Sequence, residues 1–132
     1  MISVDSSVWI EFLRDTPSAE NLLLSRMIEK NAAIALSPVV LMEVLRGVQD
    51  EDHAAQAEEM LLEFDPLSLS VPGDFLLAAS LYRTACRSGI SIRSSVDCLI
   101  AASCVRTGTP LLHRDADFDR LASCTPLRVH RA

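Results

Sequence analysis

Short apolar runs alternate with longer amphipathic segments along the whole chain. The longer segments repeat apolar residues every three or four positions, which is typical of helices, whereas the short runs fit buried strands. Strands that are separated by helices pair in parallel. The chain is therefore predicted to form an α/β fold, with a short central parallel sheet of four to five strands and helices on both faces.

The boundaries of these elements follow from capping and turn residues. Five strands are predicted, one ending at Asp5 and the others at residues 32–36, 67–71, 110–113 and 127–130. Helices are predicted at residues 6–14, 16–30, 38–46, 51–64, 72–88 and 95–107, followed by a short helix ending at residue 122. Gly47, Gly89 and Gly108 stand where helices should end.

Length and composition predict one soluble domain that spans residues 1–132. The hydrophobic fraction is 49% and the charged fraction 23%, which is ordinary for a globular domain. No apolar run approaches the roughly 18–20 residues of a membrane helix, and no signal peptide is expected. We therefore expect a cytoplasmic protein without a membrane partner. Its four cysteines lack CxxC spacing, so they are interpreted as reduced structural residues rather than zinc ligands.

The charge balance makes unaided binding of nucleic acid improbable. The net charge is −6, and Lys30 is the only lysine beside eleven arginines. An acidic chain does not attract a polyanion by bulk electrostatics. A nucleic-acid substrate would need a local cation, and arginine guanidinium groups would suit contacts to phosphate.

Four acidic residues stand at places where a sheet of this kind carries its functional site. Asp5 and Asp115 follow predicted strands, Asp97 lies in the first turn of a helix, and Glu43 interrupts an apolar helical stretch. Each also has an ordinary interpretation: a helix cap for Asp5, a solvent-facing position for Glu43, a favourable place in the helix dipole for Asp97 and a solvated turn for Asp115.

The joint placement of these acids favours a functional interpretation. The carboxyl ends of the strands and the starts of the following helices lie on one side of such a sheet, where ligands bind. Converging carboxylates repel one another and raise their pKa values. Oxygen ligands suit Mg²⁺ or Mn²⁺, and the chemistry that uses such a site is phosphodiester hydrolysis.

Four ordered sequence blocks resemble the motifs of PIN-domain ribonucleases, and most closely those of VapC toxins from bacterial toxin–antitoxin systems. The blocks are Asp5-Ser-Ser-Val-Trp-Ile, Pro38-Val-Val-Leu-Met-Glu43-Val-Leu-Arg-Gly, Arg93-Ser-Ser-Val-Asp97-Cys-Leu-Ile-Ala-Ala and His113-Arg-Asp115-Ala-Asp117-Phe-Asp119. Together they span nearly the whole chain, so the resemblance predicts a PIN-like fold over residues 1–132.

The resemblance implies a catalytic quartet, with Asp5, Glu43, Asp97 and Asp115 holding Mg²⁺ or Mn²⁺ that activates water for RNA hydrolysis. Asp117 matches a further acid that binds metal in some relatives. The resemblance also implies an endoribonuclease toxin acting on transfer RNA or ribosomal RNA, with transfer RNA as our expectation. It further implies a homodimer that a VapB-type antitoxin inhibits.

Three further residues have roles that stay open at this stage. Ser7 matches a small hydroxyl position that supports the site in the family. Arg93, in the loop before Asp97, is the best candidate for a substrate contact or a partner of the acids. His113 is expected to be structural or to lie at the rim of the site.

Other functions fit the sequence less well. A phosphatase with an Asp-x-Asp strand end would need a second acid where Ser7 stands, and a phospho-receiver would need a lysine in its acidic pocket, whereas Lys30 falls in a predicted surface helix. The non-enzymatic alternative is a catalytically silent PIN-like module that binds RNA or protein. Metal-dependent activity that is lost in Asp5→Asn would distinguish the nuclease from this alternative.

Overall fold

The protein folds around a five-stranded sheet with the strand order β3-β2-β1-β4-β5, in which every neighbouring pair is parallel. This computed structural model describes all residues 1–132. The strands are β1 Ile2–Val4, β2 Ile34–Leu36, β3 Asp65–Pro66, β4 Leu111–Leu112 and β5 Val129–His130. The predicted α/β class and parallel sheet are confirmed.

Seven helices connect and cover these strands. They are α1 Ser6–Arg14, α2 Ala19–Glu29, α3 Pro38–Arg46, α4 Glu51–Leu61, α5 Gly73–Arg87, α6 Ser95–Thr107 and α7 Ala116–Cys124. Polar side chains define several of their first turns, because they accept hydrogen bonds from backbone N–H groups that have no partner inside the helix. Ser37 accepts from Val39, for example, and Ser94 accepts from Val96.

The strand order places a topological switch point between β1 and β4. The chain proceeds from β1 outward to β2 and β3, then returns to the other side of β1 for β4 and β5. Diverging connections open a crevice at the carboxyl ends of the two strands where the order reverses. Asp5 follows β1 and donates its backbone N–H to Leu112 of β4 over 2.9 Å, so it stands at this crevice.

One continuous hydrophobic core packs against both faces of the sheet. It contains 26 buried residues, with Trp9 and Phe118 as its largest members. Trp9 is fully buried and contacts Phe12 and Phe64, with ring centroids 5.8 and 5.1 Å away. Trp9 therefore serves the core rather than stacking on a base. Burial of such large apolar side chains is the main driving force for folding.

An ion pair between α5 and α6 is buried within this arrangement. Asp74 is fully buried, and its carboxylate accepts hydrogen bonds from Arg106 Nε at 2.6 Å, Ser103 Oγ at 2.9 Å and the Ser70 N–H at 2.9 Å. Bonding to Arg106 lowers the pKa of Asp74 despite its burial. A carboxylate with this many donors keeps its charge inside the protein.

The strand predicted at residues 67–71 is wrong in position and length, since the structure has a strand at Asp65–Pro66 instead. Leu67 still donates its N–H to Leu36 at the end of β2. Beyond that point side chains replace the neighbouring strand: Arg106 binds the Ser68 carbonyl oxygen at 2.6 Å, and Asp74 binds the Ser70 N–H. Backbone groups satisfied in this way do not extend a sheet.

Several predicted boundaries shift by a few residues. Helix α2 begins after Ser18, whose hydroxyl accepts from the Asn21 N–H at 3.0 Å, and not at residue 16. Helix α4 ends at Leu61 instead of residue 64, whereas α7 continues to Cys124. Strands β4 and β5 are shorter than predicted.

The expectations for Gly108 and for the buried cysteines are met by the structure. Gly108 ends α6 with a φ of 67°, a left-handed conformation that favours glycine. All four cysteines are free, and Cys98 and Cys104 lie in the core. None of the helices is long and apolar enough to cross a membrane.

Candidate active site

The site begins with Asp5, which caps α1 with only one of its carboxylate oxygens. Asp5 Oδ2 accepts hydrogen bonds from the Ser7 N–H at 3.1 Å and from Ser7 Oγ at 2.6 Å. The other oxygen, Oδ1, is buried and has no hydrogen-bond partner. Burial raises the pKa of Asp5 against the effect of the Ser7 bonds, and the charge of Asp115 raises it further. The cap interpretation is therefore correct but leaves half of the carboxylate free.

Asp97 occupies the centre of the acidic cluster. It lies in the first turn of α6 and is only 8% exposed. Burial raises its pKa to about 7, and the charges of the four other acids add to this effect, in the order Asp115, Asp5, Asp117 and Glu43. Because Asp97 interacts with all of them, these carboxylates lie in one electrostatic cluster rather than at separate surface positions.

Two acids come from the turn between β4 and α7. Asp115 caps α7 by accepting the Asp117 N–H through Oδ1 at 2.9 Å. One carboxylate oxygen from each of Asp97, Asp115 and Asp117 lies within 4.8 Å of the others. The structure thus brings two predicted quartet members together with Asp117 in a group that could hold one ion.

Glu43 reaches the cluster from α3. Ser6 Oγ donates to Glu43 Oε1 at 3.1 Å, although the two residues are 37 positions apart. Burial raises the pKa of Glu43 against this hydrogen bond, and the charges of Asp5 and Asp115 raise it further. Glu43 is half-buried and does not lie on the solvent face of an amphipathic helix, which was its ordinary interpretation.

Asp117 differs from the other acids because basic groups surround it. It is 1% exposed and accepts hydrogen bonds from Arg120 Nη1 at 2.7 Å and from the Arg93 backbone N–H at 3.1 Å. Burial opposes ionisation, but these bonds and the positive charge of Arg93 lower the pKa of Asp117. Asp117 therefore stays ionised, and its carboxylate already accepts hydrogen bonds from Arg93 and Arg120.

The donor set fits a hard divalent cation. All candidate ligands are carboxylate oxygens, which Mg²⁺ and Mn²⁺ prefer. The unpaired buried Asp5 Oδ1 is a polar atom that needs a partner. The raised pKa values of Asp5, Glu43 and Asp97 show that their negative charges lack compensation from the protein. A bound cation would provide that compensation.

His113 has the structural role expected of it, whereas the contact of Ser6 with Glu43 was not predicted. His113 Nδ1 accepts the Asp115 N–H at 3.0 Å, and His113 Nε2 lies 3.3 Å from Asp119 Oδ1. The side chain of His113 is buried, so it fixes the turn that carries Asp115. Its position two residues before Asp115 was the available signal. Ser6 offered none, because its bond to Glu43 joins distant parts of the chain.

Ser7 and Arg93, both singled out in the sequence, lie at the site. Besides holding Asp5, Ser7 Oγ accepts the Arg114 N–H at 3.0 Å, so it ties the end of β4 to the end of β1. Arg93 Nη2 lies 3.5 Å from Asp115 Oδ1, and Arg93 Nε lies 3.7 Å from Asp117 Oδ1. Arg120 was not predicted to lie at the site. Its spacing of three residues from Asp117 on α7 is the sequence signal that could have indicated the contact.

Two clefts open near these elements. An apolar cleft of about 590 Å³ lies between α1, α3 and α4, away from the cluster of aspartates, and its lining includes Phe12, Val44 and Met60. A polar cleft of about 540 Å³ contains Arg93 and Arg120 and therefore borders Asp115 and Asp117.

Known proteins resemble this chain over nearly its whole length. Residues 2–123 match the family model of the PIN domain. The chain is 39% identical over 130 residues to ribonuclease VapC11 from Mycobacterium tuberculosis, an alignment that covers 98% of this chain and 97% of that protein. A VapC ribonuclease from Mycobacterium bovis is similar to the same extent.

Solved structures of VapBC complexes share the fold. A VapBC2 complex from Rickettsia felis, bound to a DNA fragment from its promoter, matches with a TM-score of 0.74 at 18% identity and covers 98% of both chains. DNA-bound VapBC from Salmonella typhimurium matches with a TM-score of 0.74 at 16% identity, again over 98% of both chains. VapC20 from Mycobacterium tuberculosis, described as a toxin that cleaves the sarcin–ricin loop, matches with a TM-score of 0.65 at 19% identity over 97% of this chain and 99% of VapC20.

Proposed function

This chain belongs to the VapC family of PIN-domain ribonucleases, and we propose that it is a Mg²⁺- or Mn²⁺-dependent endoribonuclease, the toxin of a VapBC-type toxin–antitoxin pair. The observation that carries the proposal is the convergence of Asp5, Glu43, Asp97 and Asp115 at the switch point of the sheet, with Asp5 Oδ1 buried and unpaired. A protein fold tolerates such repulsion where an ion balances it.

Asp5, Glu43, Asp97 and Asp115 would hold the ion or ions, and Asp117 would contribute on the side of α7. When bound, Mg²⁺ or Mn²⁺ supplies a nucleophile at neutral pH and stabilises the charge that develops on phosphate oxygens. The pKa values of Asp5, Glu43 and Asp97 are all raised, that of Asp97 to about 7, so a cation must compete with protons for these carboxylates. Cation binding should therefore release protons.

The surrounding residues position these acids. Ser7 orients Asp5, Ser6 orients Glu43 and the His113 ring fixes the backbone at Asp115. Hydrogen bonds of this kind hold metal-binding carboxylates in place, and losing one typically costs about 10–100-fold in metal affinity or activity. Arg93, at the rim, is proposed to contact the substrate.

The proposal is tested by incubating purified protein with cellular RNA in Mn²⁺, in Mg²⁺ and in EDTA. We expect cleavage with either ion, none in EDTA and none with Asp5→Asn or Asp97→Asn. Glu59→Gln, which removes an exposed carboxylate on α4, is the matched control and should cleave normally. Cleavage that persists in EDTA or in Asp5→Asn would refute the proposal.

We propose transfer RNA as the substrate, which places the activity in the cytoplasm. Sequencing the 5′ ends of RNA cleaved in the same assay identifies the target. Discrete cuts in transfer RNA support the proposal, whereas cuts confined to ribosomal RNA correct the substrate class and leave the nuclease chemistry intact.

A VapB-type antitoxin is the proposed partner. The acidic cluster suits a basic segment, whose arginines could replace the cation, and the apolar cleft between α1, α3 and α4 suits the apolar face of a helix from the same protein. Excess Mn²⁺, or an antitoxin whose arginines are removed, should then relieve inhibition. Inhibition that both treatments leave unchanged would rule out arginine binding at the acids.

A homodimer is also proposed, with support from an exposed apolar surface at α5. Leu76 is 66% exposed, and Phe75 and Tyr82 are also exposed. Apolar side chains grouped in this way mark contact surfaces. Light scattering should give a dimer for the wild type and a monomer for Leu76→Glu, whereas Glu59→Gln should remain dimeric. A wild-type monomer would contradict this proposal.

The alternative is a catalytically silent module that binds RNA or protein. Loss of a quartet acid would favour it, but all four acids are present in the chain. An absence of cleavage in the RNA assay, combined with retained binding of RNA or antitoxin, would favour this alternative.

A further inference from the structure

The polar cleft beside Asp117 is lined by two arginines, which the binding of a cation at the acidic cluster would not require. Its volume is about 540 Å³, and it lies between the loop that follows α5 and the outer face of α7. The lining residues, of which only one is hydrophobic, are Gly89, Ile90, Ser91, Arg93, Arg120 and Ser123.

The two arginines that line this cleft keep most of their hydrogen-bond donors unused within the protein. The side chain of Arg93 is 74% exposed, and its guanidinium group donates no hydrogen bond within the protein because the nearest carboxylate oxygens are 3.5 and 3.7 Å away. Arg120 is also exposed and uses Nη1 on Asp117. A guanidinium group has five N–H donors, so both side chains can bind another acceptor.

The charges around the cleft favour an anion. Two guanidinium groups face the single buried carboxylate of Asp117, which leaves one net positive charge. Asp115, which Arg93 also approaches, belongs to the acidic cluster whose charge a divalent cation would balance. In a chain of net charge −6, this cleft is a local place where a polyanion is attracted.

The lining also indicates which part of a nucleic acid would bind. No aromatic side chain lines the cleft, so it lacks the stacking surface on which proteins hold unpaired bases. The planar guanidinium fork matches the oxygens of a phosphate group and binds them with two parallel hydrogen bonds. The cleft is therefore suited to the backbone of a strand.

We infer that this cleft is a phosphate-binding subsite, in which Arg93 and Arg120 hold a backbone phosphate adjacent to the cleaved phosphodiester of the RNA. The inference rests on the proposed ribonuclease function. The subsite is placed next to the cleaved phosphodiester because Arg93 lies close to both Asp115 and Asp117. These contacts make the cleft continuous with the acidic cluster. A phosphate held here fixes the register of the strand without reading its sequence.

The test is equilibrium binding of a fluorescein-labelled 12-nucleotide oligouridylate at several salt concentrations in Ca²⁺, which also takes carboxylate oxygens and so balances the acidic cluster; a gel run after each titration checks that the oligonucleotide is intact. Arg93→Gln and Arg120→Gln should each weaken binding about threefold to tenfold, the range for one lost hydrogen bond of ordinary net strength, because both side chains are exposed to solvent. Each should also reduce the slope of log affinity against log salt by about 0.7, the value for one phosphate contact on a single strand. Arg26→Gln, on α2, is the control and should change neither quantity.

A second pair of variants separates binding from support of Asp117. Arg93→Lys and Arg120→Lys keep the positive charge, so they should restore most of the salt slope. If affinity and slope in both glutamine variants match those of Arg26→Gln, the inference is wrong while RNA cleavage, and with it the proposed function, can still stand. If the lysine variants restore nothing and melt as low as the glutamine variants, the arginines only anchor Asp117, and the inference is again overturned. If the wild-type protein binds no oligouridylate, the inference fails, and the cleavage assay with Mn²⁺ decides whether the nuclease proposal fails with it.

Discussion

Replacing Asp97 with asparagine should make the metal-free protein more stable above neutral pH, although it should abolish ion binding. Asp97 lies among four other carboxylates, and its burial and their charges raise its pKa from 3.8 to about 7. Asparagine has nearly the same shape but cannot ionise. The variant therefore removes the repulsion without opening a cavity.

The magnitude follows from the pKa. A factor of ten in proton affinity is worth about 1.4 kcal/mol. Ionised Asp97 should therefore reduce the free energy of unfolding by about 4 kcal/mol at pH 8, because its folded pKa is near 7 and its unfolded pKa is near 3.8. Because the folded pKa of Asp97 is raised, the free energy of unfolding is highest below about pH 4. It falls as the pH rises, and above about pH 7 the full 4 kcal/mol or so that Asp97 costs has been lost. Asparagine lacks this dependence.

Thermal melting in EDTA at pH 4.5 and pH 8 measures the effect. Wild type and Asp97→Asn should differ by only a few degrees at pH 4.5, whereas at pH 8 the variant should melt about 15 °C higher. With Mn²⁺ at a hundredfold excess over its dissociation constant, the wild type should gain about 2.7 kcal/mol and the variant should gain little. Glu59→Gln should follow the wild type throughout.

Two results would refute the reasoning. A variant that melts at or below the wild type in EDTA at pH 8 would show that Asp97 does not experience the repulsion of the other acids. A Mn²⁺ shift of equal size in both proteins would show that Asp97 is not needed to hold the ion, and the nuclease proposal would lose its main support.

Three further predictions concern other contacts. Ser7→Ala should lower Mn²⁺ affinity about tenfold in calorimetry, because Ser7 holds Asp5 through a 2.6 Å hydrogen bond; an unchanged affinity would contradict this role. Asp74→Asn should cost about 1–3 kcal/mol in urea unfolding at pH 7, because it removes charge-assisted hydrogen bonds from Arg106, whose own side chain is 34% exposed and can be solvated. The pKa of Asp74 is lowered, so its contribution to the free energy of unfolding is present above the unfolded pKa. The destabilisation by Asp74→Asn should therefore shrink below about pH 4. A destabilisation that does not change with pH would argue against a role for the Asp74 charge. Gly108→Ala should cost about 1 kcal/mol in the same assay, because its φ of 67° strains other residues, and no change would show that the cap relaxes.

The sequence predicted the elements of the site well because their signals are local. Ser37 and Ser94 accept hydrogen bonds from backbone groups two residues ahead, and Gly108 ends α6 where the helical pattern stops. Such signals act within one turn of the chain. The same locality explains the failure at residues 67–71, where apolar composition suggested a strand but side chains from α5 and α6 took the backbone hydrogen bonds.

Contacts between distant residues were beyond the sequence. Ser6 and Glu43 are 37 positions apart, and Arg93 and Asp117 are 24 apart. Periodicity carries no information about which helix faces which loop, so the support of Glu43 by Ser6 could not be predicted. Arg93 was singled out as a possible partner of the acids, but the sequence could not show that it meets Asp117. The five acids looked alike in the sequence, yet the fold raises the pKa of Asp97 and lowers that of Asp117.

By itself, the sequence determined the alternation of strands and helices, the parallel pairing that follows from it and the position of each acid at the end of a strand or within a helix. Only the tertiary structure decided that β1 and β4 are neighbours, which brings Asp5 towards Asp115, and that Asp97 of α6 meets Asp115 and Asp117. The physical reason is the distance over which each effect acts. Caps and periodicity act over a few residues along the chain, whereas burial and charge repulsion depend on distances in space that packing of the whole core establishes.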